Sequence, residues 1–278
     1  MALVPIHRFF SLNGEIKPNT DFVASENEGG IYEVLRVIDG IPVFLEEHLE
    51  RFYRSAELAG KTIRFNPLKI RSFLQKLITV NQVDYGNVLI SCKINLKAFF
   101  ITHLYPDADQ YQNGVECGLL NAERLNPNAK VFQTLVRVQA NEMMAQKGFY
   151  EVLLVDHDEM ITEGSRSNIF FVNKDQIVTP SADKVLLGIT RQKTIACAKA
   201  LNIQIEETNI TLRQLDQFEA VFLTGTSPKI LPVSKIADYR FNVKNELMRK
   251  LMLKYDEMIW DYVKVKKKEY PSDEAPKG

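Results

Sequence analysis

The sequence predicts an α+β fold with two domains: a smaller N-terminal domain with an antiparallel sheet and helices, and a larger C-terminal domain with a barrel-like sheet and helices. The first half combines strand patterns with two amphipathic helix patterns, whereas the second half has many short strand patterns in close succession. A polar stretch around Pro127 separates the halves. The predicted boundaries are 1–122 for the N-terminal domain, 123–128 for a linker, 129–265 for the C-terminal domain and 266–278 for a mobile tail.

The first half contains two pairs of strand patterns and two helix patterns. "GIYEVLRVIDGIPVFL" has a hairpin-type turn, Asp39-Gly40, between two apolar runs. "EEHLERFYRSAELAG" repeats apolar residues at helical spacing up to Gly60, and "NPLKIRSFLQKLITV" begins with Asn66 and Pro67 in the cap and first-turn positions. "NVLISCKINLKAFFITHLY" predicts the second pair of strands.

The second half begins with a helix predicted from Phe132 to Lys147. Short strands are predicted in "YEVLLVD", "NIFFVN", "QIVTP", "KVLL", "EAVFLTG" and "KILPV". "GITRQKTIACAKALNI" predicts a helix, and "VKNELMRKLMLKYDEMIWDYV" predicts a long terminal one.

The composition is that of an ordinary globular protein. Of 278 residues, 45% are hydrophobic and 25% are charged, with 35 basic against 35 acidic side chains. A net charge of zero gives no electrostatic reason to expect a nucleic acid or an anionic membrane as partner. No apolar stretch approaches the length of a membrane span. We therefore expect a cytoplasmic globular protein.

The cysteines and histidines indicate neither a disulfide framework nor a metal site. Cys92, Cys117 and Cys197 are odd in number and widely separated, and the four histidines are isolated from one another. The cysteines are expected to be buried free thiols in a reducing compartment.

Two residues, Lys130 and Glu163, are candidates for carrying chemistry. Lys130, in "NAKVFQTLVRVQA", lies beside apolar residues, where a desolvated ammonium would have a lowered pKa and would form a Schiff base. Glu163 ends a core strand in "EMITEGSRSNIFFV". The alternatives are a solvated surface lysine and a carboxylate that hydrogen-bonds within a turn.

Two further segments are candidates for phosphate binding. In "LLGITRQKTI", Gly188, Ile189 and Thr190 lie where a helix begins, so unpaired amides and a hydroxyl are available to an anion. "FLTGTSPKILPV" offers the hydroxyls of Thr226 and Ser227 after an apolar strand. A threonine N-cap and a plain polar turn are the alternatives.

The order of these features resembles the class IV aminotransferases. These are the fold type IV pyridoxal-phosphate enzymes, which include branched-chain and D-amino-acid aminotransferases and aminodeoxychorismate lyase. "GIYEVLRVIDGIPVFLEEHLERF", Lys130, "EGSRSN", "GITR" and "TGT" carry the resemblance, which covers about Gly30 to Val233.

The resemblance implies a role for each candidate residue. Lys130 would hold pyridoxal 5'-phosphate as an internal aldimine and later move a proton between the substrate carbon and the cofactor. Glu163 would lie beside the pyridine nitrogen and keep it protonated. The other implied cofactor contacts are Arg51, Ser165 or Ser167, Ile189, Thr190 and Thr226, and the implied substrate contacts are Tyr32, Arg36 and Ser227.

The implied activity is transamination between an amino acid, branched-chain-like or related, and a 2-oxo acid, in a homodimer. Aminodeoxychorismate lyase, which releases pyruvate and 4-aminobenzoate, is the alternative within the family, and a cofactor-binding protein without turnover is the other. The residue that binds the substrate carboxylate stays open between Arg36, Arg166, Lys93 and Lys97. His103 and Tyr105 stand without an arginine after the matching strand, which argues against D-specificity.

Overall fold

The computed structural model describes residues 3–24, 30–124, 126–132 and 134–269. The first part of the chain forms an antiparallel sheet of six strands in the order β2-β1-β6-β5-β3-β4. Two helices, α1 and α2, belong to the same part. The bounds are β1 Phe9–Leu12, β2 Glu15–Pro18, β3 Ile31–Ile38, β4 Ile41–Pro42, α1 Leu45–Leu58, α2 Pro67–Asn81, β5 Tyr85–Cys92 and β6 Leu96–Ile101.

The turn and cap residues of this part act as the sequence predicts. Asp39 and Gly40 both have positive φ, 51° and 75°, in the turn between β3 and β4. The Asn66 side chain accepts from the Lys69 amide and Pro67 is the first residue of α2. Alternate residues of β3 point to one apolar core that the sheet shares with α1 and α2.

The second sheet has ten strands in the order β12-β11-β10-β14-β15-β7-β8-β9-β13, with β16 paired to β15. It is mixed: β7 runs parallel to β8 and β15, and β11 runs parallel to β12. The bounds are α3 Ala108–Asn113, β7 Val115–Asn121, α4 Thr134–Lys147, β8 Glu151–Val155, β9 Met160–Gly164, β10 Asn168–Asn173, β11 Gln176–Thr179, α5 Ile189–Ala200, β12 Gln204–Glu207, β13 Ile210–Thr211, β14 Ala220–Gly225, β15 Lys229–Ile236, β16 Tyr239–Arg240 and α6 Glu246–Glu269.

The two parts share apolar contacts. Helices α5 and α6 pack on Phe170 and Phe222, whose rings stack at 5.0 Å, and the same cluster includes Ile38, Val43 and Phe44. This common core fixes β3 and α1 against α5, and a site between them is therefore held by packed elements. The predicted α+β fold class, with its smaller antiparallel and larger curled sheet, is confirmed.

Several element boundaries differ from the prediction. Strand β7 belongs to the second sheet, so the chain enters that sheet before the expected linker at 123–128. The stretch "KVLL" is a loop, because it leads directly into α5 without a pairing partner, and Glu163 lies on an additional strand, β9. Helix α6 continues to Glu269, beyond the predicted start of the tail at residue 266, and residues 270–278 lie outside the described residues.

The three cysteines are buried and free, as predicted. Over the described residues, no helix is long and apolar enough to cross a membrane. Nor does that part of the chain hold three or more His, Cys, Asp or Glu side chains placed to bind a metal ion.

Candidate active site

Lys130 is fixed beside the start of β3. The Tyr32 amide donates to the Lys130 carbonyl at 3.1 Å, and Val131 forms an isolated antiparallel bridge with Ile31. The Lys130 amide in turn donates to the Ser55 hydroxyl of α1 at 3.1 Å. These backbone bonds place the Lys130 ammonium 4.7 Å from the centre of the Tyr32 ring.

The Lys130 ammonium has a lowered pKa. Burial is the largest cause, the charges of Arg51 and Arg124 act in the same direction, and Tyr32 and Glu33 oppose them. Within the described residues, no carboxylate lies within ion-pair distance of this ammonium. A lysine of this kind holds a larger neutral, nucleophilic fraction than a surface lysine does.

Tyr32 is the buried aromatic centre of the site. Its ring stacks on Phe132 with centroids 3.9 Å apart, and its hydroxyl accepts a hydrogen bond from Arg137 Nη2 at 3.0 Å. Burial alone would raise the pKa of Tyr32, but the charges of Lys130, Arg137 and Arg124 outweigh it and lower the pKa to about 7.

Glu163 is 3% exposed at the end of β9. Its Oε1 lies 3.0 Å from Arg124 Nη1, and its Oε2 accepts from the Leu186 amide at 3.1 Å. Burial raises the pKa of Glu163, whereas Arg124, the Leu186 amide and Lys130 act against the rise. Glu163 is therefore a buried carboxylate tied to the loop that leads into α5.

One face of α1 carries buried polar groups toward this loop. His48, Arg51 and Ser55 follow one another at helical spacing and are all buried. Arg51 binds Glu33 through two parallel 2.7 Å bonds, and His48 Nδ1 hydrogen-bonds to Glu33 at 2.8 Å. Burial of Glu33 acts to raise its pKa, but Arg51 and His48 lower it to about 2.

The start of α5 lies next to Arg51. Arg51 Nη1 donates to the Leu187 carbonyl at 3.2 Å, and two of the five guanidinium N–H groups are engaged by no described residue. Gly188 is the N-cap of α5, and a Cβ there would collide with Asn168. The first-turn amides, the buried hydroxyl of Thr190 and this guanidinium together suit a phosphate group.

Thr224 and Thr226, at and just after the end of β14, add hydroxyl groups to the candidate phosphate pocket. The Thr226 hydroxyl donates to the Val34 carbonyl at 3.3 Å, which places it beside β3. The hydroxyl of Thr224 is buried and has no hydrogen-bond partner within the described structure. An unpartnered buried hydroxyl is available to a polar group of a ligand.

The serines after Glu163 bind another carboxylate. Ser165 and Ser167 donate to Glu151 at 2.6 and 3.0 Å, and the Val152 and Arg166 amides donate to the same carboxylate. Glu151 is 4% exposed. The hydrogen bonds predicted for Ser165 and Ser167 thus go to this carboxylate, because β8 brings Glu151 beneath the turn.

Arg36 and Ser227 lie together near the C-terminal end of β3. Arg36 belongs to the same face of this strand as Tyr32. Arg36 Nη1 donates to the Ser227 carbonyl at 3.1 Å, and its guanidinium stacks 3.9 Å above the Tyr105 ring. Asn87 links the Ser227 hydroxyl, at 2.8 Å, to the Tyr105 hydroxyl. This network holds both residues in place.

The three other residues predicted as candidates for binding the substrate carboxylate lie in different places. Arg166 lies in the turn between β9 and β10, where it contacts Asn141. Lys93 is exposed in the turn between β5 and β6, and Lys97 lies two strands from Tyr32 and donates to Val23. Burial lowers the pKa of Arg166, and the charge of the nearby Tyr32 acts against this.

Sequence reasoning missed Arg124, Arg137, Glu33 and His48. Arg124 and Arg137 have the pattern of solvated charges on a linker and a helix, and only the fold brings them to Tyr32. A signal was present for Glu33, since a carboxylate stands within an apolar strand pattern and His48 and Arg51 are spaced to meet one partner.

The donor set suits pyridoxal phosphate. An amine with a lowered pKa, a buried carboxylate and a cationic, amide-lined pocket meet around the loop at Leu186 and Leu187. These are the groups that an aldehyde, a ring nitrogen and a phosphate require. The fold and these donor groups together indicate an enzyme that depends on a bound cofactor.

The family comparison agrees with this class. The model of the family described as Amino-transferase class IV matches residues 30–236, more than half of the chain. This chain therefore belongs to the class IV aminotransferases and is an enzyme. Members of this family are pyridoxal-phosphate enzymes, which confirms the predicted cofactor.

Two relatives illustrate the range of substrates within the family. A D-alanine aminotransferase from Bacillus licheniformis is 29% identical over 222 residues, which cover 74% of this chain and 78% of the relative. A probable branched-chain-amino-acid aminotransferase from Rickettsia typhi is 29% identical over 259 residues, covering 85% and 90%.

Solved structures share the fold. The branched-chain amino acid aminotransferase from Thermobaculum terrenum, in its PLP-form, has a TM-score of 0.78 at 19% identity and covers 92% of this chain and 95% of its own. A putative 4-amino-4-deoxychorismate lyase from Legionella pneumophila has a TM-score of 0.73 at 22% identity, covering 83% and 91%. At these identities the likeness establishes the fold alone.

Proposed function

We propose that this protein moves an amino group between an amino acid and a 2-oxo acid, with Lys130 as the catalytic residue. The observation that carries the proposal is the setting of Lys130. Its amine has a lowered pKa and acts electrostatically on the buried Glu163 carboxylate, which is bonded to the loop before α5. A surface lysine has no such surroundings.

Lys130 would hold the aldehyde carbon of the cofactor through Nζ. In transamination its amine would move a proton between the substrate carbon and the acceptor carbon. The cofactor supplies an electron sink for the carbon that loses this proton. Tyr32, 4.7 Å from Nζ, lines the pocket in which this transfer occurs.

Glu163 would lie beside the ring nitrogen of the cofactor and stabilise the proton on that nitrogen. Burial raises the pKa of Glu163. A buried carboxylate of this kind therefore shares a proton with a pyridine more evenly than an exposed carboxylate does. Arg124, whose Nη1 lies 3.0 Å from Oε1 of this carboxylate, acts against the rise in its pKa. Ser165 supports this end of the site indirectly, because its bond to Glu151 fixes the turn after Glu163.

Arg51, Thr226 and the first turn of α5 bind the phosphate. Arg51 is oriented by Glu33, and the amides of Ile189 and Thr190 belong to the first turn of α5. Arg36 and Ser227 shape the substrate side of the pocket through their shared hydrogen bond.

Release of pyruvate and 4-aminobenzoate from aminodeoxychorismate is the second candidate function. The shared fold with a putative lyase of Legionella pneumophila supports it. The same lysine and cofactor serve both reactions, so the reaction is decided by the substrate that the pocket accepts.

We also propose a homodimer in a reducing, cytoplasmic compartment. Leu104, Ile94 and Leu135 are 85%, 82% and 80% exposed, and their burial against a second chain would remove apolar surface from water. The three buried free thiols suit reducing conditions. Light scattering of the purified protein measures the oligomeric state.

The experiment is a visible absorption titration of the cofactor-loaded protein with L-leucine, L-glutamate, D-alanine and aminodeoxychorismate. Loss of the yellow cofactor band on addition of one amino acid, with a 2-oxo acid formed, supports transamination. Consumption of aminodeoxychorismate alone, with release of pyruvate, supports the lyase reaction. A protein that develops no cofactor band contradicts both.

A further inference from the structure

The candidate phosphate pocket is built from two helices that belong to different parts of the chain. Arg51 lies on α1, beside the six-stranded sheet, whereas Ile189 and Thr190 form the first turn of α5, beside the ten-stranded sheet. Arg51 meets the start of α5 through the bond from Nη1 to the Leu187 carbonyl, at 3.2 Å. An anion bound between α1 and α5 requires that the distance between the two helices be held by further contacts.

Lys193 and Glu47 form an ion pair between these two helices. Lys193 follows Ile189 by four residues on α5, and Glu47 precedes Arg51 by four residues on α1. Each partner therefore lies one helical turn from a group of the candidate phosphate pocket. The pair joins α1 to α5 next to the place where an anion would contact both helices.

The start of α1 is also held by α6. Phe44, the residue before α1, has a φ of 53°, a left-handed value that is uncommon for an aromatic residue. The Lys193 ammonium lies 4.7 Å from the centre of the Phe44 ring, and the Tyr262 ring of α6 is centred 5.0 Å from it. The Tyr262 hydroxyl accepts from the Leu45 amide at 3.0 Å and donates to Glu46 at 2.6 Å. This hydroxyl takes the place of an N-cap, because the phenyl group of Phe44 cannot accept a hydrogen bond.

The stability of the fold does not account for the pair of Lys193 and Glu47. Their side chains are 23% and 32% exposed, and a partly exposed ion pair contributes little to the free energy of unfolding. The Oε2 atom of Glu47 is buried and has no hydrogen-bond partner among the described residues, so this carboxylate depends on Lys193. What the pair does fix is the position of α1 relative to α5.

We propose that Lys193 and Glu47 are positioning residues that hold Arg51 against the first turn of α5 and thereby set the affinity for the phosphate of the cofactor. The inference rests on the proposed function, in which Arg51 and α5 bind that phosphate. The charges of Lys193 and Glu47 are used on each other, so the pair acts through Arg51. Without the pair α1 and α5 separate more easily, and fewer donors meet one anion.

The test is a fluorescence titration of the full-length protein, freed of cofactor, with pyridoxal phosphate and with pyridoxal, which lacks the phosphate. Lys193→Gln and Glu47→Gln are each expected to weaken pyridoxal-phosphate binding by about 3- to 10-fold and to leave pyridoxal binding unchanged. Lys193→Arg keeps a cation opposite Glu47 and should restore the wild-type affinity. Lys199→Gln, the same change at an exposed position on α5, is the control.

Inorganic phosphate provides a readout that does not depend on the cofactor. It is titrated into the same proteins by calorimetry, and Lys193→Gln should weaken its binding by a similar factor. In an Arg51→Lys background, Lys193→Gln should add little, because the residue that the pair positions has already been changed.

The outcomes separate this inference from the proposed function. If pyridoxal phosphate produces no cofactor band but phosphate binding still depends on Lys193, the positioning role stands and the proposed function falls. An equal loss for pyridoxal phosphate and pyridoxal in the variants overturns the positioning role. So does wild-type binding of pyridoxal phosphate in both Lys193→Gln and Glu47→Gln.

Discussion

Arg124 and Glu163 form a buried ion pair in which Nη1 lies 3.0 Å from Oε1. Their side chains are 10% and 3% exposed. The arginine belongs to the segment that precedes Lys130, and the carboxylate belongs to β9, so the pair joins the two parts of the site. Since each charge is desolvated, each depends on the other.

Glu163→Gln is expected to lower the free energy of unfolding by about 3–5 kcal/mol, because Arg124 is left without a buried counter-charge. Urea denaturation monitored by fluorescence measures this. Replacing both residues, with Arg124→Gln added, should recover part of the loss. Glu159→Gln is the matched control, because its pair with Arg213 is exposed and contributes about 1 kcal/mol or less. A Glu163→Gln variant as stable as that control would refute the pairing argument.

Arg51→Lys is expected to weaken pyridoxal-phosphate binding by about 10-fold or more, since a lysine cannot reproduce the bidentate bond to Glu33 and still face the phosphate. Fluorescence titration with the cofactor measures this. Pyridoxal, which lacks the phosphate, should bind both proteins alike. Arg54→Lys, exposed on the same helix, controls for the substitution itself. Equal losses for the cofactor and for pyridoxal would mean that Arg51 acts only on the fold.

Tyr32 is expected to titrate near pH 7, because the charges of Lys130, Arg137 and Arg124 outweigh the effect of burial on its pKa. Tyrosinate absorption at increasing pH measures this, and Tyr32→Phe should remove the step. In the unfolded chain the pKa is about 10. Between about pH 7 and pH 10 the unfolded chain binds more protons at Tyr32 than the folded chain does, so the free energy of unfolding rises with pH in this range. The contribution of Tyr32 to stability is lost as the pH falls through about 7. Wild type and variant that show the same titration below pH 9 would contradict this.

Lys130→Ala is expected to lower kcat by at least about 10³-fold, because the amine that moves the proton is removed. The variant should still bind the cofactor, since the phosphate contacts proposed for Arg51, Thr190 and Thr226 would remain. Steady-state assays with the amino acid that removes the cofactor band in the titration measure the rate. Lys147→Ala should behave as wild type because Lys147 is exposed. Activity retained in Lys130→Ala would exclude the catalytic role.

Most helices and strands could be predicted because their apolar periodicity is local. Phe170 and Phe222 belong to runs that read as buried strands, and Asn66 with Pro67 marks the start of α2. The sheet to which a strand belongs depends instead on distant partners. Val115–Asn121 pairs with β8 and β15, and no local pattern reports that.

The candidate site also combines residues that the sequence predicts with residues that only the fold brings together. Lys130, Glu163 and the start of α5 stand in a recognisable order in the chain, whereas the side-chain partners come from the fold. Glu151 takes the hydrogen bonds expected of Ser165, because β8 passes under the turn. Arg137 has the pattern of a surface charge on α4 until the helix packs beside Tyr32.

Reduction of the cofactor-loaded protein with borohydride, followed by peptide mass spectrometry, identifies the lysine that holds the cofactor. Borohydride fixes the cofactor to whichever amine holds it. We expect one pyridoxyl group per chain, on the peptide that contains Lys130. A pyridoxyl group on another lysine, or none on Lys130, would contradict it.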